Sequence, residues 1–565
     1  MAIDTNQFPP PTFSHTFYDS MMQENIGNAE IIIRKWDPNC DKFTSLFQEN
    51  RKEAKEFIKC VENLRRAMHF LIAQNSSGPN HLVLANKLMK VAMLRLEKEL
   101  HHILSTNGEF LSQESLSLSN SDEEEDDQKL KMERDVKIIA ESMISSGYSK
   151  ECGRTYRLTR KSVLDEQLYR LGIRNYIPSQ INRLDHEALK HQVNKWINSA
   201  KVAIWKIFHG ERLLCDQVFH ISETIKQTCI AHIIMEGATN LFKFPEIVAK
   251  SKRYPDKIFL LMKLHEAVSN LWPEIESIFS LETLSPIKLQ GLSAMHKLRG
   301  SAQKILSDFV STIRKNSSKT AIPGGGIHPL TCSVMNYLSL LADNNRVLSE
   351  ILDDDTGNAA PSPFPESYFD GIPSPITGRL AWIILFLLCK LDSKSELYKD
   401  IGLSYLFLAN NLQFIAEKVR TTALKFILGE NWLSKLQKKV KLFATNYESV
   451  SWAKVFASLA PEIEESPCDH FQRFNSTFKA AYEKQSLWVV PDPKVRDEIR
   501  ASIERKMVPA YRELYNRYLA KNMEIPLRFS PENLGDYLSE LFERNLVVFG
   551  SLSSSSSNSR MSRCL

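Results

Sequence analysis

The sequence predicts an all-α protein. Glycine is scarce, at 20 of 565 residues, and long stretches rich in Leu, Lys, Glu and Ala run between turn signals. These residues favour helices, and no clear alternation of apolar and polar residues indicates strands. Hydrophobic residues make up 43% of the chain and charged residues 25%, which is typical of a globular protein and not of a disordered or fibrous one. At about 150 residues per domain, we expect three or four helical modules.

Residues 1–39, rich in Pro, Asn and Thr, are expected to form a flexible lead-in. This segment has neither the basic region nor the apolar region of an export signal, and Ala2 stands where myristoylation needs glycine. The nine cysteines are scattered without a Cys-x-x-Cys pair, which is typical of reduced thiols in the cytosol. We therefore expect a cytosolic location.

Residues 40–110 are predicted to form a helical hairpin with a heptad seam. Apolar residues recur with three-four spacing for about three and a half heptads, which places them on the side of one helix that pairs with another helix. The seam residues are Phe47, Ala54, Phe57, Val61, Leu64, Met68 and Leu71. The polar Asn50 also falls on the seam, either fixing the register or lying partly solvated at the helix start. A turn over residues 76–80 separates this helix from a second one over residues 82–104.

Residues 111–135 combine serines with six consecutive acids at positions 122–127. This composition buries too little apolar surface to fold, so we expect a hinge between the hairpin and the main body. The whole chain carries a formal charge of +5, so the chain outside the acidic run carries +11. Such a basic balance fits either an anionic membrane surface or an ordinary solvated surface.

Residues 136–549 are predicted to form helical bundles, and residues 550–565 an unstructured low-complexity tail. Two segments rich in Gly and Pro, residues 321–329 and 353–378, are expected to be mobile surface loops. The longest apolar run, residues 380–389, has about half of the roughly 20 residues that cross a bilayer, so it predicts a buried core helix.

No catalytic or metal-binding constellation is recognisable. His186 and His191 are separated by about 140° around a helix, so they cannot face one metal ion. Residues 324–326 are three glycines without the Gly-Lys-Ser or Gly-Lys-Thr of a phosphate loop. Residues 468–470, Cys-Asp-His, are adjacent in sequence and are expected to lie in a loop. We expect no enzyme activity, no cofactor, no metal and no small-molecule substrate.

A helix following Trp432 carries lysines on one side. Leu433, Leu436, Val440, Phe443 and Tyr447 are expected on the core face, and Lys435, Lys438 and Lys441 on the opposite face. This lysine face is either simply solvated or contacts an anionic leaflet. No aromatic spacing or module typical of nucleic-acid binding accompanies the basic residues, so we expect no nucleic-acid partner.

Several stretches resemble the exocyst seventy-kilodalton subunit family, and especially its plant branch. They include WINSAKVAIWKIF at 196–208, HPLT at 328–331, YLFLANNLQFIAEKV at 405–419, WVVPDPKVR at 488–496 and VPAYRE at 508–513. These stretches occur in the family's order, and the resemblance covers residues 43–545. It implies an elongated rod of stacked helical bundles, with the N-terminal hairpin joining other exocyst subunits.

The resemblance also implies docking to phosphatidylinositol bisphosphate at the plasma membrane and contacts with small Rho-type GTPases. In the family's last-domain signature, Arg528 keeps one basic site, whereas Ile525 replaces the other, and Lys521 lies nearby. The expected lipid-binding residues are therefore Arg528, Lys521, Lys435, Lys438 and Lys441.

Two functions remain open on the sequence alone. The first is a subunit that tethers secretory vesicles to the plasma membrane before fusion, in the cytosol and peripherally on that membrane. The second is a specialised adaptor of the same family in plant immunity or autophagy, which the altered lipid motif favours.

Overall fold

A computed structural model describes residues 13–37, 44–74, 79–106, 123–352, 368–369, 371, 373–460, 466–519 and 529–542. Regular structure in these ranges is helical, and they contain no β-strand. The predicted all-α class is therefore confirmed. The predicted tail at 550–565 lies outside the described residues, as does most of the predicted loop at 353–378.

The chain divides into two compact units. Unit 1 comprises Met1–Arg253 with Lys263–Ser301, and unit 2 comprises Tyr254–Met262 with Ala302–Leu565. The helices up to residue 315 are α1 (Phe13–Lys35), α2 (Leu46–Glu49), α3 (Arg51–Gln74), α4 (Pro79–Thr106), α5 (Glu123–Ser145), α6 (Ser149–Arg170), α7 (Pro178–Asn182), α8 (His186–Val202), α9 (His209–Val218), α10 (Glu223–Lys250), α11 (Lys257–Asn270), α12 (Trp272–Ile278) and α13 (Ser285–Lys315).

The later helices all belong to unit 2. They are α14 (Pro329–Asp343), α15 (Asn345–Leu352), α16 (Pro375–Ser395), α17 (Ile401–Thr421), α18 (Leu424–Leu428), α19 (Glu430–Ser451), α20 (Ala453–Ala457), α21 (Pro467–Gln485), α22 (Pro493–Leu519) and α23 (Pro531–Ser539). A π-helical segment, Ala203–Phe208, joins α8 to α9, and 3₁₀ turns form at Glu282–Leu284 and Pro323–Gly325.

Residues 13–35 form α1, whereas a flexible lead-in was expected over residues 1–39; residues 1–12, 38 and 39 lie outside the described residues. Within α1, Ile26, Ala29 and Ile33 recur at helical spacing and are buried. At the end of α1, Lys35 pairs with Glu53 at 2.6 Å, and the Trp36 indole donates to the same carboxylate at 3.1 Å. The lead-in folds because these few apolar residues meet an apolar face that the sequence of α1 alone does not reveal.

The expected acidic hinge is also partly helical. Residues 123–128 form the first turns of α5, whereas residues 111–122 lie outside the described residues. Negative charge at a helix N-terminus is favourable because it opposes the positive end of the helix dipole. Asp127 pairs with Lys131 one turn later, and this contact lowers the pKa of Asp127. The acidic run therefore starts a helix.

A buried ion pair links α6 to α9 in the core of unit 1. The Arg160 guanidinium donates to Glu211 from Nη2 at 2.6 Å and from Nε at 3.0 Å, and both side chains are fully buried. The Tyr156 hydroxyl lies 3.5 Å from the same carboxylate. Each buried charge is neutralised by the other, so removing one partner would leave the remaining charge buried and unpaired.

Unit 2 is organised around two adjacent amides on α17. Asn411 accepts at Oδ1 from the backbone N–H of His328 at 2.9 Å and from the Thr331 hydroxyl at 2.7 Å, and Nδ2 donates to the Gly326 carbonyl at 3.3 Å. Asn410 Nδ2 donates to the carbonyls of Gly325 at 2.8 Å and Val489 at 2.7 Å. We call this set of contacts the asparagine junction. It joins α17, residues 325–331 and Val489, which are distant from one another in the sequence.

The glycine-rich segment at 321–329 is therefore held in place and is not the mobile surface loop predicted from its composition. Gly325, Gly326 and His328 are buried, and Gly324 and Gly325 have φ values of +66° and +72°. A Cβ added at Gly324 would lie 2.9 Å from the Leu487 carbonyl oxygen. Glycine is needed here because the backbone is left-handed and approaches another chain segment closely.

His328 begins α14 as its N-cap. Burial, assisted by the charge of Lys394, lowers the pKa of His328 to about 4, so the ring is neutral at pH 7. Its Nδ1 can then accept the backbone N–H of Leu330 at 3.0 Å. A neutral capping histidine adds to the polar contacts of the asparagine junction without burying a charge.

We predict that Arg160→Leu lowers the free energy of unfolding by about 3–5 kcal/mol, because Glu211 is left buried without its cation. Urea unfolding followed by circular dichroism measures this change in the transition that includes unit 1. Arg170→Leu is the matched control, since Arg170 pairs with Glu166 on the exposed surface and costs about 1 kcal/mol at most. Equal effects of the two variants would contradict the prediction.

We predict that Gly324→Ala destabilises unit 2 by about 1–3 kcal/mol, because alanine is strained at a positive φ. Gly326→Ala is the control: its φ is −66°, and an added Cβ meets Ile322 at an ordinary 3.6 Å. That change is expected to be neutral or to stabilise by up to about 1 kcal/mol. Intrinsic fluorescence in urea measures both variants, and a neutral Gly324→Ala would show that the segment is not rigidly held.

Candidate functional site

The predicted heptad seam lies inside the N-terminal bundle of unit 1. Six of its seven residues are buried, and Met68 is half-buried. The buried ones are Phe47, Ala54, Phe57, Val61, Leu64 and Leu71. Helix α3 packs against both α1 and α4, so the seam contacts helices of its own chain. A heptad pattern predicts that a helix is paired but does not say with which helix, and this chain supplies its own partners.

Asn50 has a local role at the start of α3. Its Oδ1 accepts the backbone N–H of Glu53 at 3.3 Å, and its Nδ2 donates to the Glu53 carboxylate at 2.8 Å. This reciprocal arrangement caps the helix N-terminus. Asn50 therefore caps α3, between the short helix that carries Phe47 and the rest of the seam.

A second polar cluster fastens the chain segment before α3 to α4. Glu99 is fully buried and accepts from the Ser45 hydroxyl at 2.9 Å and from the Leu46 N–H at 2.8 Å. Arg95 lies one turn earlier on α4 and donates to Glu99 at 2.5 Å. Its guanidinium also lies 5.3 Å from the centroid of the Trp36 ring. These contacts connect α4 with the residues just before α3 and with Trp36, which follows α1.

The predicted lysine face forms on α19. Leu433, Leu436, Val440 and Tyr447 are buried on the core side, and Phe443 is half-buried. On the other side, Lys438 and Lys441 are exposed one turn apart, and the exposed Lys439 lies at the border of this side; we call these three residues the lysine face. Exposed cations close together on a helix can attract an anionic surface at a distance set by ionic strength.

Lys435 differs from the other predicted lysines. It is half-buried, and its Nζ lies 3.9 Å from the centroid of the Tyr368 ring. This cation–π contact holds the ammonium against the protein. The remaining predicted lipid-binding residues, Lys521 and Arg528, lie outside the described residues. The next residue, Phe529, is buried, and its carbonyl accepts the Tyr511 hydroxyl at 2.8 Å.

A concave site in unit 2 was not foreseen from the sequence. It is a cavity of about 590 Å³ between the start of α17, the end of α19, α20 and α21. Lys399, Lys454 and Lys484 lie around it, together with Asp400 and the ring of Trp488. We call it the lysine-rimmed cavity. Its residues come from segments that are far apart in the sequence, so no local pattern signals it.

The acidic side of this cavity is built by the N-cap of α17. Asp400 accepts the Leu403 N–H at 3.0 Å and pairs with the Lys484 ammonium. Burial alone would raise the pKa of Asp400, but Lys484 and the backbone donors lower it below its usual value. Asp400 is therefore an ionised carboxylate that neutralises one of the three lysines.

No group of three or more His, Cys, Asp or Glu side chains in the described ranges is placed to hold a metal ion. Burial raises the pKa of Cys152 and Cys229 to about 12, so these thiols stay protonated at pH 7. The structure corrects the expected loop at 468–470, because Ser466 caps α21 there and His470 is buried with its Nε2 2.9 Å from the Ser458 carbonyl.

None of the helices in the described ranges combines the length and hydropathy that a bilayer crossing requires. The apolar run at 380–389 lies within α16, where Leu380, Ile383, Ile384 and Leu387 are completely buried. The predicted core helix is confirmed.

Two family models match the chain. Residues 194–540 match the model for the C-terminal part of the Exo70 exocyst complex subunit, and residues 25–106 match the model for the N-terminal part of the exocyst complex component Exo70. The two matches together span both units and include the N-terminal bundle, the lysine face and the lysine-rimmed cavity.

Curated plant proteins show the same similarity. The chain is 26% identical to exocyst complex component EXO70A1 of Arabidopsis thaliana, over 96% of this chain and 92% of that protein. It is 32% identical to EXO70B2 of the same plant, over 68% of this chain and 63% of that protein. The crystal structure of the Saccharomyces cerevisiae exocyst component Exo70p matches 93% of this chain and 100% of its own, with a TM-score of 0.61 and 15% identity. That structural likeness shows a shared fold.

We predict that Leu64→Ala lowers the free energy of unfolding of the isolated chain by about 2–5 kcal/mol, because Leu64 is completely buried in the N-terminal bundle. Met68→Ala, one turn later on the same seam, is expected to cost less because Met68 is half-buried. Urea denaturation compares the two. If Leu64→Ala left stability unchanged, the seam would not be part of the chain's own core.

Proposed function

Since this chain belongs to the Exo70 family of exocyst subunits, we propose that it works within the exocyst to tether secretory vesicles to the plasma membrane before fusion. The observation that carries this proposal is the pair of family matches, which cover residues 25–106 and 194–540. In this role the protein is a scaffold without catalytic activity. It lies in the cytosol and binds the membrane peripherally.

The lysine face of α19 is the proposed membrane contact. A lysine near an anionic leaflet contributes about 1 kcal/mol, so the three exposed lysines contribute about 3 kcal/mol together. Binding of this strength is weak and reversible, and added salt weakens it further because salt screens the charges. Phosphoinositides suit such a face because their headgroups concentrate several negative charges.

Lys521 and Arg528 are proposed to extend this contact through the C-terminal part of the chain. Arginine recognises phosphate through parallel donors, whereas lysine acts as a point charge. Ile525 stands where the resembling family carries a lysine, so the contact has one fewer charge than the family pattern. Lys435 is left out of the proposed membrane contact, because its ammonium group already makes a cation–π contact with Tyr368.

The N-terminal bundle is the proposed contact with other exocyst subunits. The described part of α1 contributes three buried aliphatic side chains, Ile26, Ala29 and Ile33, to the helices that it covers. An amphipathic helix of a partner subunit would compete with α1 for the face of α3 that α1 covers. We propose that such a helix takes the place of α1 in the assembled complex. Small Rho-type GTPases are proposed as further partners.

The test of membrane binding is flotation of the purified full chain with liposomes containing phosphatidylinositol bisphosphate. We expect salt-sensitive binding that weakens at least about tenfold when Lys438, Lys439 and Lys441 are all changed to glutamate, because attraction becomes repulsion. Arg528→Glu should also weaken binding. The charge-matched control changes the exposed residues Lys150, Lys201 and Lys206 of unit 1 to glutamate and should leave binding within about twofold.

The outcomes separate the two functions that the sequence leaves open. An equal loss in the control variant would mean that net charge and not the lysine face drives binding. If the wild-type chain does not float at all, direct membrane tethering by this chain is wrong, and the specialised adaptor becomes the better proposal.

A further inference from the structure

We propose that the lysine-rimmed cavity of unit 2 binds a short acidic peptide segment of a partner protein, one that places an aliphatic side chain between carboxylates. This proposal goes beyond membrane tethering, because it concerns a protein ligand and a surface other than the lysine face. It is carried by the shape, charge and apolar rim of the cavity.

Hydrogen bonds hold one wall of the cavity in place. Trp488 forms one side, and its backbone N–H donates to the Gln485 carbonyl at 2.9 Å. The next residue, Val489, is fixed by Asn410 at its carbonyl and by the Gly324 carbonyl at its N–H, at 2.7 and 2.8 Å. A volume of about 590 Å³ lies within the range of ligand sites and suits a few side chains of a peptide.

The charge of the cavity selects an anionic ligand. Three ammonium groups face one carboxylate, and that carboxylate, Asp400, already pairs with Lys484. Lys399 and Lys454 are exposed and make no ion pair with any described residue. The two lysines therefore keep two positive charges for a ligand, which a pair of carboxylates would match.

The rim of the cavity is apolar. Ile401 is 62% exposed and Val450 is 45% exposed, and both line the cavity. Leu487, adjacent in sequence to Trp488, is 68% exposed. Neighbouring exposed aliphatic side chains beside a cavity are typical of a surface that a partner covers. A peptide with an aliphatic residue would remove this apolar area from water.

The lining also offers hydrogen-bond acceptors. Ser476 and Thr477 line the cavity, and each hydroxyl donates to the Arg473 carbonyl at 2.9 Å. A hydroxyl that donates keeps oxygen lone pairs, which can accept hydrogen bonds from the N–H groups of a peptide.

These features favour a peptide over a phosphorylated headgroup or a bilayer. Lysine pairs with phosphate as well as with carboxylate, so the apolar rim and not the charge distinguishes the two kinds of ligand. A compact phosphorylated sugar would leave Ile401 and Val450 in water. A flat bilayer would not enter a concave site, whereas an extended peptide fits both the lysines and the aliphatic rim.

The test uses the purified full chain and an immobilised panel of nonapeptides that place Leu or Ile between Asp and Glu residues. Each acidic peptide has an amide twin with Asn and Gln in place of Asp and Glu. The strongest binders are then labelled and measured in solution by fluorescence polarisation. Three variants are compared: Lys399→Glu with Lys454→Glu, Ile401→Ser, and the control Lys150→Glu with Lys201→Glu, which changes net charge equally on the exposed surface of unit 1.

We expect acidic peptides to bind more tightly than their amide twins. The Lys399 and Lys454 double variant should weaken the Kd at least about tenfold, Ile401→Ser should weaken it several-fold, and the control should stay within about twofold. Circular dichroism checks that the variants, whose changed residues are all exposed, remain folded.

Three results would overturn the proposal. The first is that no acidic peptide binds more tightly than its amide twin, and the second is that the control weakens binding as much as the cavity variant. The third is that inositol hexakisphosphate or phosphatidylinositol bisphosphate vesicles bind wild type and lose that binding in the Lys399 and Lys454 variant, while the peptides do not bind. That result would make the cavity a phosphate site. The flotation experiment tests the lysine face and not the cavity. A negative result in the peptide experiment would therefore leave the tethering proposal unaffected.

Discussion

The fold of unit 2 depends on one polar contact set, the asparagine junction. Two neighbouring amides on α17 satisfy backbone groups of the glycine-rich segment and of the segment at Val489. Each hydrogen bond adds only about 1 kcal/mol, but leaving these buried groups unpaired would cost more, so the three segments are held together as one arrangement. The glycines allow it because a side chain at Gly324 would meet the Leu487 carbonyl. The wall of the lysine-rimmed cavity at Trp488 follows directly from this arrangement.

The surfaces that we propose for binding differ in kind. The lysine face of α19 is exposed and carries positive charges only, so it suits weak contact with a charged membrane. The lysine-rimmed cavity is concave and combines charge with apolar area, so it suits a specific peptide. A tethering protein gains from several weak contacts, because each bound contact raises the effective concentration at the others. Modest affinity at each surface is then compatible with firm attachment of the assembly.

The N-terminal bundle illustrates what a heptad pattern does and does not specify. The spacing from Phe47 to Leu71 predicts the buried faces of α2 and α3, and six of the seven seam residues are buried. The partner of that face depends on which apolar surfaces are available elsewhere, and α1 and α4 of the same chain provide them. Composition misled at both ends of this region, because the Pro, Asn and Thr of residues 1–39 suggested a flexible segment and the acidic run at 122–127 suggested disorder. Helix dipoles and long-range packing decide such segments.

The sequence by itself determined the all-α class, the core face of α19, the exposed side that carries Lys438 and Lys441, and membership of a family. Short-range periodicity and local motifs indicate these features, and neither depends on contacts between distant parts of the chain. The tertiary structure alone decided that the glycines at 324–326 are clamped, that Lys435 is held by Tyr368, and that Lys399, Lys454 and Lys484 surround one cavity. Each of these depends on residues far apart in the chain, whose meeting is fixed by packing and not by local spacing.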